Sequence, residues 1–188
     1  MIKRCFIDTE TTGLDHLVHA VHQIGVIITD DKGNKLDSLN LMFAPPAFAK
    51  CSEEALAKCR LTHEQLFSRP LTQKAAFTKF ISFLEEHVNR FDNKDKLQFV
   101  AYNSDFDEKF IRAWFFSNSN DFFNSYFWSP SICMQRVAAW YLIDHRDKLE
   151  RFKLHYVCKF LGIEFSEDHA HDAMYDIEKT LELYRKLN

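Results

Sequence analysis

The chain has no apolar run near the roughly 18 residues that cross a bilayer, although hydrophobic residues fill 46% of its 188 positions. Met1-Ile2-Lys3-Arg4 leads into no signal-peptide core, because Asp8 and Glu10 interrupt the apolar stretch at once. No membrane partner is expected. Cysteine pairs are missing too. Cys5, Cys51, Cys59, Cys133 and Cys158 are odd in number and show no C-x-x-C spacing. That argues against structural zinc and reads as reduced thiols in a cytoplasmic compartment. Positive charge is not in excess either: the net charge is −3, so no strongly basic surface advertises a polyanion. There is no internal repeat, no low-complexity run and no linker, so residues 1–188 are expected to form one domain.

What is present is a mixed pattern of strands and helices. Cys5-Phe6-Ile7 is a short apolar run that reads as a buried strand ending at Asp8. Residues 23–29 form a second strand, Asp30-Asp31-Lys32-Gly33-Asn34 a turn, and residues 36–43 a third strand antiparallel to the second. Pro45-Pro46 ends it. Ser52 caps a short helix over 53–58, and Thr62-His63-Glu64-Gln65 fits a capping box. Phe77, Phe80, Ile81, Leu84 and Val88 repeat at helical spacing. Residues 97–101 read as a fourth strand and 106–116 as a helix. Further helices are expected over 134–143, 153–161 and 170–187. Between them, 115–128 holds Phe115, Phe116, Phe122, Phe123, Tyr126, Phe127 and Trp128 without a clean period. The plain expectation is an aromatic loop folded onto the core; the alternative is a base-stacking surface. Strands first and helices last give a three-layer α/β domain.

Three acidic signatures lie in order along this frame: Asp8-Thr9-Glu10, then Asp107 in Asn103-Ser104-Asp105-Phe106-Asp107, then His171 with Asp176 five residues on. Brought together, four carboxylates and a histidine can hold two divalent cations and a water beside a phosphodiester. Each signature alone has an ordinary alternative. Asp-x-Glu is common, and Asp176-Ile177-Glu178 repeats it. On a strand, side chains two apart share a face, so Asp8 and Glu10 can share a cation if the extended backbone continues through them. Asp107 falls near a helix start, where Asp also serves as a cap. Asp176 lies beside the apolar stripe of Ala170, Ala173, Met174, Ile177, Leu181 and Tyr184, at the edge of a buried face. His171 is placed at the helix start, where the dipole favours a neutral imidazole able to take a proton from water. His16, His19 and His22 recur every three residues but read as loop residues rather than a metal face. The net charge does not exclude nucleic acid, because two bound cations return four charges to the acidic cluster.

Together the signatures resemble the DEDDh family of 3′–5′ exonucleases. Phe6-Ile7-Asp8-Thr9-Glu10-Thr11-Thr12-Gly13-Leu14 is similar to that family's first motif, and residues 101–111 to its second. The His171 to Asp176 spacing matches its third motif. The resemblance runs from about residue 2 to residue 187. It implies a ribonuclease-H-like fold: a mixed five-stranded sheet with helices on both faces, the fifth strand near 131–133. It also implies catalytic residues Asp8, Glu10, Asp107, His171 and Asp176. The four carboxylates would bind two Mg²⁺ or Mn²⁺, and His171 would deprotonate the attacking water. Thr11 and Thr12 would meet the terminal 3′-OH by their backbone, Gly13 would allow a tight turn, Leu14 would wedge against the last base, and Asn103 would support the substrate.

The implied activity is hydrolysis at single-stranded nucleic-acid 3′ ends, DNA ahead of RNA, releasing nucleoside 5′-monophosphates. RNA trimming and a non-catalytic nucleic-acid or polymerase-binding module are the competing functions, and a polymerase is a further candidate partner. Three positions depart from the pattern. Tyr102 stands where the family often has His, Cys59-Arg60-Leu61-Thr62 replaces a V-H-G-I-T-like loop, and Cys133-Met134 replaces Asp-Thr. Lys153 and Arg151 are expected to be solvated surface charges.

Overall fold

The computed structural model describes residues 2–188. β1 (Arg4–Thr11), β2 (Val21–Thr29) and β3 (Lys35–Met42) form an antiparallel meander. Short helices α1 (Glu53–Lys58) and α2 (His63–Phe67) follow, then α3 (Gln73–Glu85). β4 (Leu97–Ala101) leads into α4 (Ser104–Ser117), α5 (Phe123–Tyr126) and β5 (Phe127–Cys133). α6 (Met134–Tyr141), a 3₁₀ turn (Ile143–Lys148), α7 (Leu154–Phe160) and α8 (Ala173–Leu187) complete the chain. The sheet order is β3-β2-β1-β4-β5, with β4 parallel to both β1 and β5.

Strand alternation divides the core in two. Cys5 and Ile7 of β1 pack with Phe77, Phe80, Trp114 and Phe115 on one face. Phe6 packs with Ile177, Leu181 and Tyr184 on the other. Helices therefore cover both faces, as the ribonuclease-H-like expectation requires. Ser52 caps α1 through the Ala55 amide, and Thr62 with Gln65 closes the expected capping box. Among the described residues no helix is long and apolar enough to cross a membrane, and all five cysteines are free.

Some expectations move. β1 continues past Asp8 to Thr11, which is the condition for Asp8 and Glu10 to share a face. His22 lies inside β2 and is buried, not in a loop. The aromatic segment is not one loop: it ends α4, forms α5 and starts β5. Phe115, Phe123, Tyr126 and Phe127 are buried, but Phe116 is 77% exposed. α8 starts at Ala173, three residues later than the apolar stripe suggested, because Asp172 takes the N-cap position and accepts from the Met174 and Tyr175 amides.

Candidate active site

Parallel pairing between β1 and β4 covers only Arg4 to Phe6. Beyond that, β1 runs on without β4, and a crevice opens at the carboxyl ends of the two strands. The strand order reverses here, where open α/β sheets place their ligands. The cleft measures about 450 Å³ and is lined by Asp8, Glu10, Asp107, His171 and Asp176, together with Thr11, Gly13, Leu14 and Asn103.

Three elements deliver the acidic groups. Asp8 and Glu10 share the α8-facing side of β1 with Phe6. Asp107 comes from the first turns of α4 and is only 4% exposed. Its Oδ1 accepts from the Thr9 amide at 3.0 Å and the Thr9 hydroxyl at 2.8 Å. It uses an amide that β4 no longer pairs, so it is not a helix cap. Asp176 lies one turn inside α8, and its Oδ2 accepts from the His171 amide at 3.2 Å. His171 sits before the helix with φ +66, in the left-handed region that costs a non-glycine residue about 1 kcal/mol or more. That conformation turns its amide toward Asp176.

Gly25 of β2 fixes how closely α8 approaches. It pairs with Asp8 across the sheet. A Cβ there would lie 2.5 Å from the Ala173 carbonyl oxygen and 2.8 Å from the Met174 nitrogen. Without a side chain at Gly25, the start of α8 rests on the backbone beside Asp8. The helix is tied at both ends. Gln23 Nε2 donates to Asp172 Oδ2 at 3.1 Å, and Arg185 donates twice to the Gly33 carbonyl at 2.9 and 2.8 Å.

The electrostatics follow from crowding. Asp8 is held well above the ordinary carboxylate range, first by burial, then by the charges of Asp107, Asp176, Glu10 and Asp172. Burial pushes Glu10 to about 8, against a hydrogen bond from Cys59 that pulls it down. Burial pushes Asp107 to about 7 and Asp176 to about 6, in each case against hydrogen bonds that lower it. Such a cluster stores repulsion that a cation would relieve. Asp176 Oδ1 is buried with no hydrogen-bond partner. Glu10, His171 and Asp176 each offer a ligand atom, all within 4.8 Å of one another. Clustered carboxylate oxygens, one of them orphaned, suit a hard divalent ion, so the acidic residues present fit the expected metal, with His171 beside it. His171 titrates below its ordinary value, with burial as the first cause, then the charges of Lys58, Lys153, His155 and Arg60, which favour the neutral ring.

A chain of buried groups reaches Glu10 from behind. Arg69 Nη1 lies 3.1 Å from His22 Nδ1 and donates to the His22 carbonyl at 2.8 Å. His22 Nε2 is 3.7 Å from Cys59 Sγ, which donates to Glu10 Oε2 at 3.4 Å. Because Arg69 can only donate, Nδ1 accepts and Nε2 carries the proton. Burial raises Cys59 to about 12, so it stays a thiol and a donor.

Two expected substrate contacts change. Thr12 lies behind the cleft wall: its amide donates to the Ala20 carbonyl and its hydroxyl to the Lys50 carbonyl. It fastens the loop and has no free amide for a 3′-OH. Gly13 does not adopt a left-handed turn. A Cβ there would lie 2.3 Å from the His19 ring, which would have to move aside. Leu14 is 74% exposed at the cleft mouth, and Asn103 is exposed with no capping bond of its own. Tyr102, at the position where a histidine was expected, donates to the Phe152 carbonyl at 2.9 Å. Gly25, Asp172, Gln23, His22 and Arg69 were not expected at the site. An isolated glycine inside a β-branched run was the one available signal.

The sequence model of a family described as Exonuclease matches residues 5–184. The chain belongs to the exonuclease family. It is a 3′–5′ exonuclease by class, of the DEDDh type, and its fold is ribonuclease-H-like. The family is represented among curated proteins by ribonuclease T of Shewanella denitrificans. That protein is 28% identical over 182 residues, covering 95% of this chain and 76% of the relative. Oligoribonuclease of Vibrio vulnificus is 36% identical over 94 residues, 44% of this chain and 49% of that protein. Among solved structures, the zinc-bound Escherichia coli exonuclease I complex with single-stranded DNA superposes with a TM-score of 0.80 at 22% identity. It covers all of this chain, which spans 40% of that longer exonuclease. The comparisons lend a polymerase partner no support.

Proposed function

We propose that this exonuclease domain, taken as residues 1–188, hydrolyses the terminal phosphodiester of unpaired nucleic-acid 3′ ends and releases nucleoside 5′-monophosphates. The observation that carries this is the convergence of four carboxylates with raised proton affinity, one bearing an orphaned buried oxygen, on a single open cleft. Asp8, Glu10, Asp107 and Asp176 would hold two Mg²⁺ or Mn²⁺, which when bound supply charge to the attacking and leaving oxygens. His171, held neutral by burial and neighbouring cations, takes the proton of the attacking water at a ring nitrogen. The Thr9 hydrogen bonds hold Asp107 in place. Thr11 and Gly13 line the wall where the 3′ end enters, Leu14 presents an apolar edge to the last base, and the free Asn103 amide offers it a hydrogen bond.

RNA trimming is the second reading, favoured by the ribonuclease names of the curated relatives. DNA is favoured by the single-stranded DNA in the exonuclease I complexes. The test is incubation with matched 5′-labelled single-stranded DNA and RNA, with Mg²⁺, with Mn²⁺ and with EDTA, alongside Asp8→Ala. A metal-dependent ladder shortening from the 3′ end, lost in Asp8→Ala, is expected, and the faster strand names the substrate. Equal activity in Asp8→Ala would overturn the site.

A further inference from the structure

A run of exposed apolar side chains begins at the cleft and follows one path away from it. Leu14 is 74% exposed, Leu17 81%, Phe48 86% and Phe116 77%. The cleft adjoins a hollow of about 360 Å³, with which it shares Leu14, Asn103 and Phe106. The hollow adjoins a trough of about 510 Å³ through His16, Lys109 and Phe110. Leu17, Phe48 and Phe116 all line that trough. Lys109, Arg112 and Phe116 follow one another on α4 at spacings of three and four, so one helix face carries an unpaired lysine, a Glu108-paired arginine and an open ring.

We propose that this trough seats the unpaired strand running up to the 3′ end, so that several nucleotides beyond the scissile one are bound. The proposal rests on the exonuclease reading above and adds a second binding surface to it. Rings that stand open beside cations suit a single strand: bases stack on the rings, and backbone phosphates meet the positive groups, with little sequence preference. Lys109 is exposed and has no ion-pair partner among the described residues. The nearby acids are already engaged. Glu108 pairs with Arg112 at 2.8 Å, Asp105 pairs with Arg136, and Asp15 accepts from the Leu17 amide at 2.9 Å. Among the described residues the trough itself has no carboxylate in its lining, while Lys109 and Arg112 are part of it, despite the chain's net charge of −3. Continuity with the cleft through Leu14 gives the strand a direct route. It also gives Phe116 a function, while its neighbour Phe115 builds the core.

The test uses 5′-fluorescein single strands of two and twelve nucleotides, as DNA and as RNA. Binding is followed by anisotropy in EDTA, and cleavage in Mn²⁺. The variants are the double Phe48→Ala/Phe116→Ala and the single Lys109→Ala; all three side chains are exposed, so folding is not at stake. The wild type should prefer twelve nucleotides over two. The double variant should lose about tenfold or more in affinity for the longer strand, and its KM should rise in step while kcat holds. Lys109→Ala should flatten the salt dependence by about one phosphate contact. Wild-type affinity of the variants for the long strand, or equal weakening for both lengths, overturns the trough. A wild type that binds the long strand but cleaves neither length counts against the exonuclease reading alone.

Discussion

Replacing Asp176 by asparagine should stabilise the metal-free protein while destroying its response to metal. Burial lifts Asp176 from an ordinary 3.8 to about 6. That displacement corresponds to about 3 kcal/mol, and solvent at the cleft mouth reduces it to about 1–2 kcal/mol. The sign is set by linkage. Below about pH 4 the carboxyl is protonated in both folded and unfolded chains and costs nothing. As pH rises from there to about 6, the unfolded chain releases its proton first, and folding stability falls. Above that the penalty is complete. Asparagine carries no charge, can still accept from the His171 amide, and places an amide where Oδ1 has no partner. In EDTA at pH 8 the variant should therefore melt about 2–8 °C above the parent. Near pH 4 the two should coincide. Adding Mn²⁺ at pH 8 should raise the parent's melting temperature and leave the variant's almost unchanged. A variant that is no more stable than the parent at pH 8, or that is equally stabilised at pH 4, refutes the stored-repulsion argument. A full Mn²⁺ response in the variant removes Asp176 from the ligand set.

Four further outcomes are expected. His171→Ala should slow cleavage by about 10²–10⁴ and keep the Mn²⁺ melting shift, as loss of a proton acceptor requires; a variant with neither would mark His171 as a ligand. In the metal-free protein the His171 ring should titrate below the ordinary 6.5 by NMR, and a midpoint above that value would contradict its burial. Gly25→Ala should destabilise by about 1–3 kcal/mol, because its Cβ meets the Ala173 and Met174 backbone, and should weaken Mn²⁺ activation by displacing α8; an unperturbed melt would show that α8 has room to move. Cys59→Ala should raise the Mn²⁺ concentration for half-maximal stabilisation about 10–100-fold, with Cys59→Ser restoring it, since Cys59 donates to Glu10 at 3.4 Å. Identical titrations for parent and Cys59→Ala would reduce the Arg69–His22–Cys59 chain to packing.

The five side chains that the structure gathers in one cleft could be picked out in the sequence because each signature's spacing carries local geometry. Asp8 and Glu10 differ by two on a strand, and Asp107 follows β4 within the first turns of α4. His171 and Asp176 straddle a helix start. The antiparallel meander was legible for the same reason, since a tight turn dictates it, whereas the order that places β4 beside β1 came only from the structure. The local errors also have local causes. Asp172 outcompeted the apolar stripe for the start of α8, and the mixed aromatic segment concealed a short helix and a strand because its buried and exposed rings alternate without a period.

The sequence by itself picked out the acidic residues proposed for the chemistry and the faces of the strands and helices that carry them. Only the tertiary structure decided how those faces meet. Gln23 and Asp172 bond across 149 positions, and Arg69 reaches His22 across 47. Gly25 matters because a helix from the other end of the chain lies on it. Those contacts decide how close the carboxylates stand, and therefore how strongly they repel. Periodicity records the surroundings of a residue within a few positions. The mutual charge of distant carboxylates depends on distances through space, which only the folded packing sets.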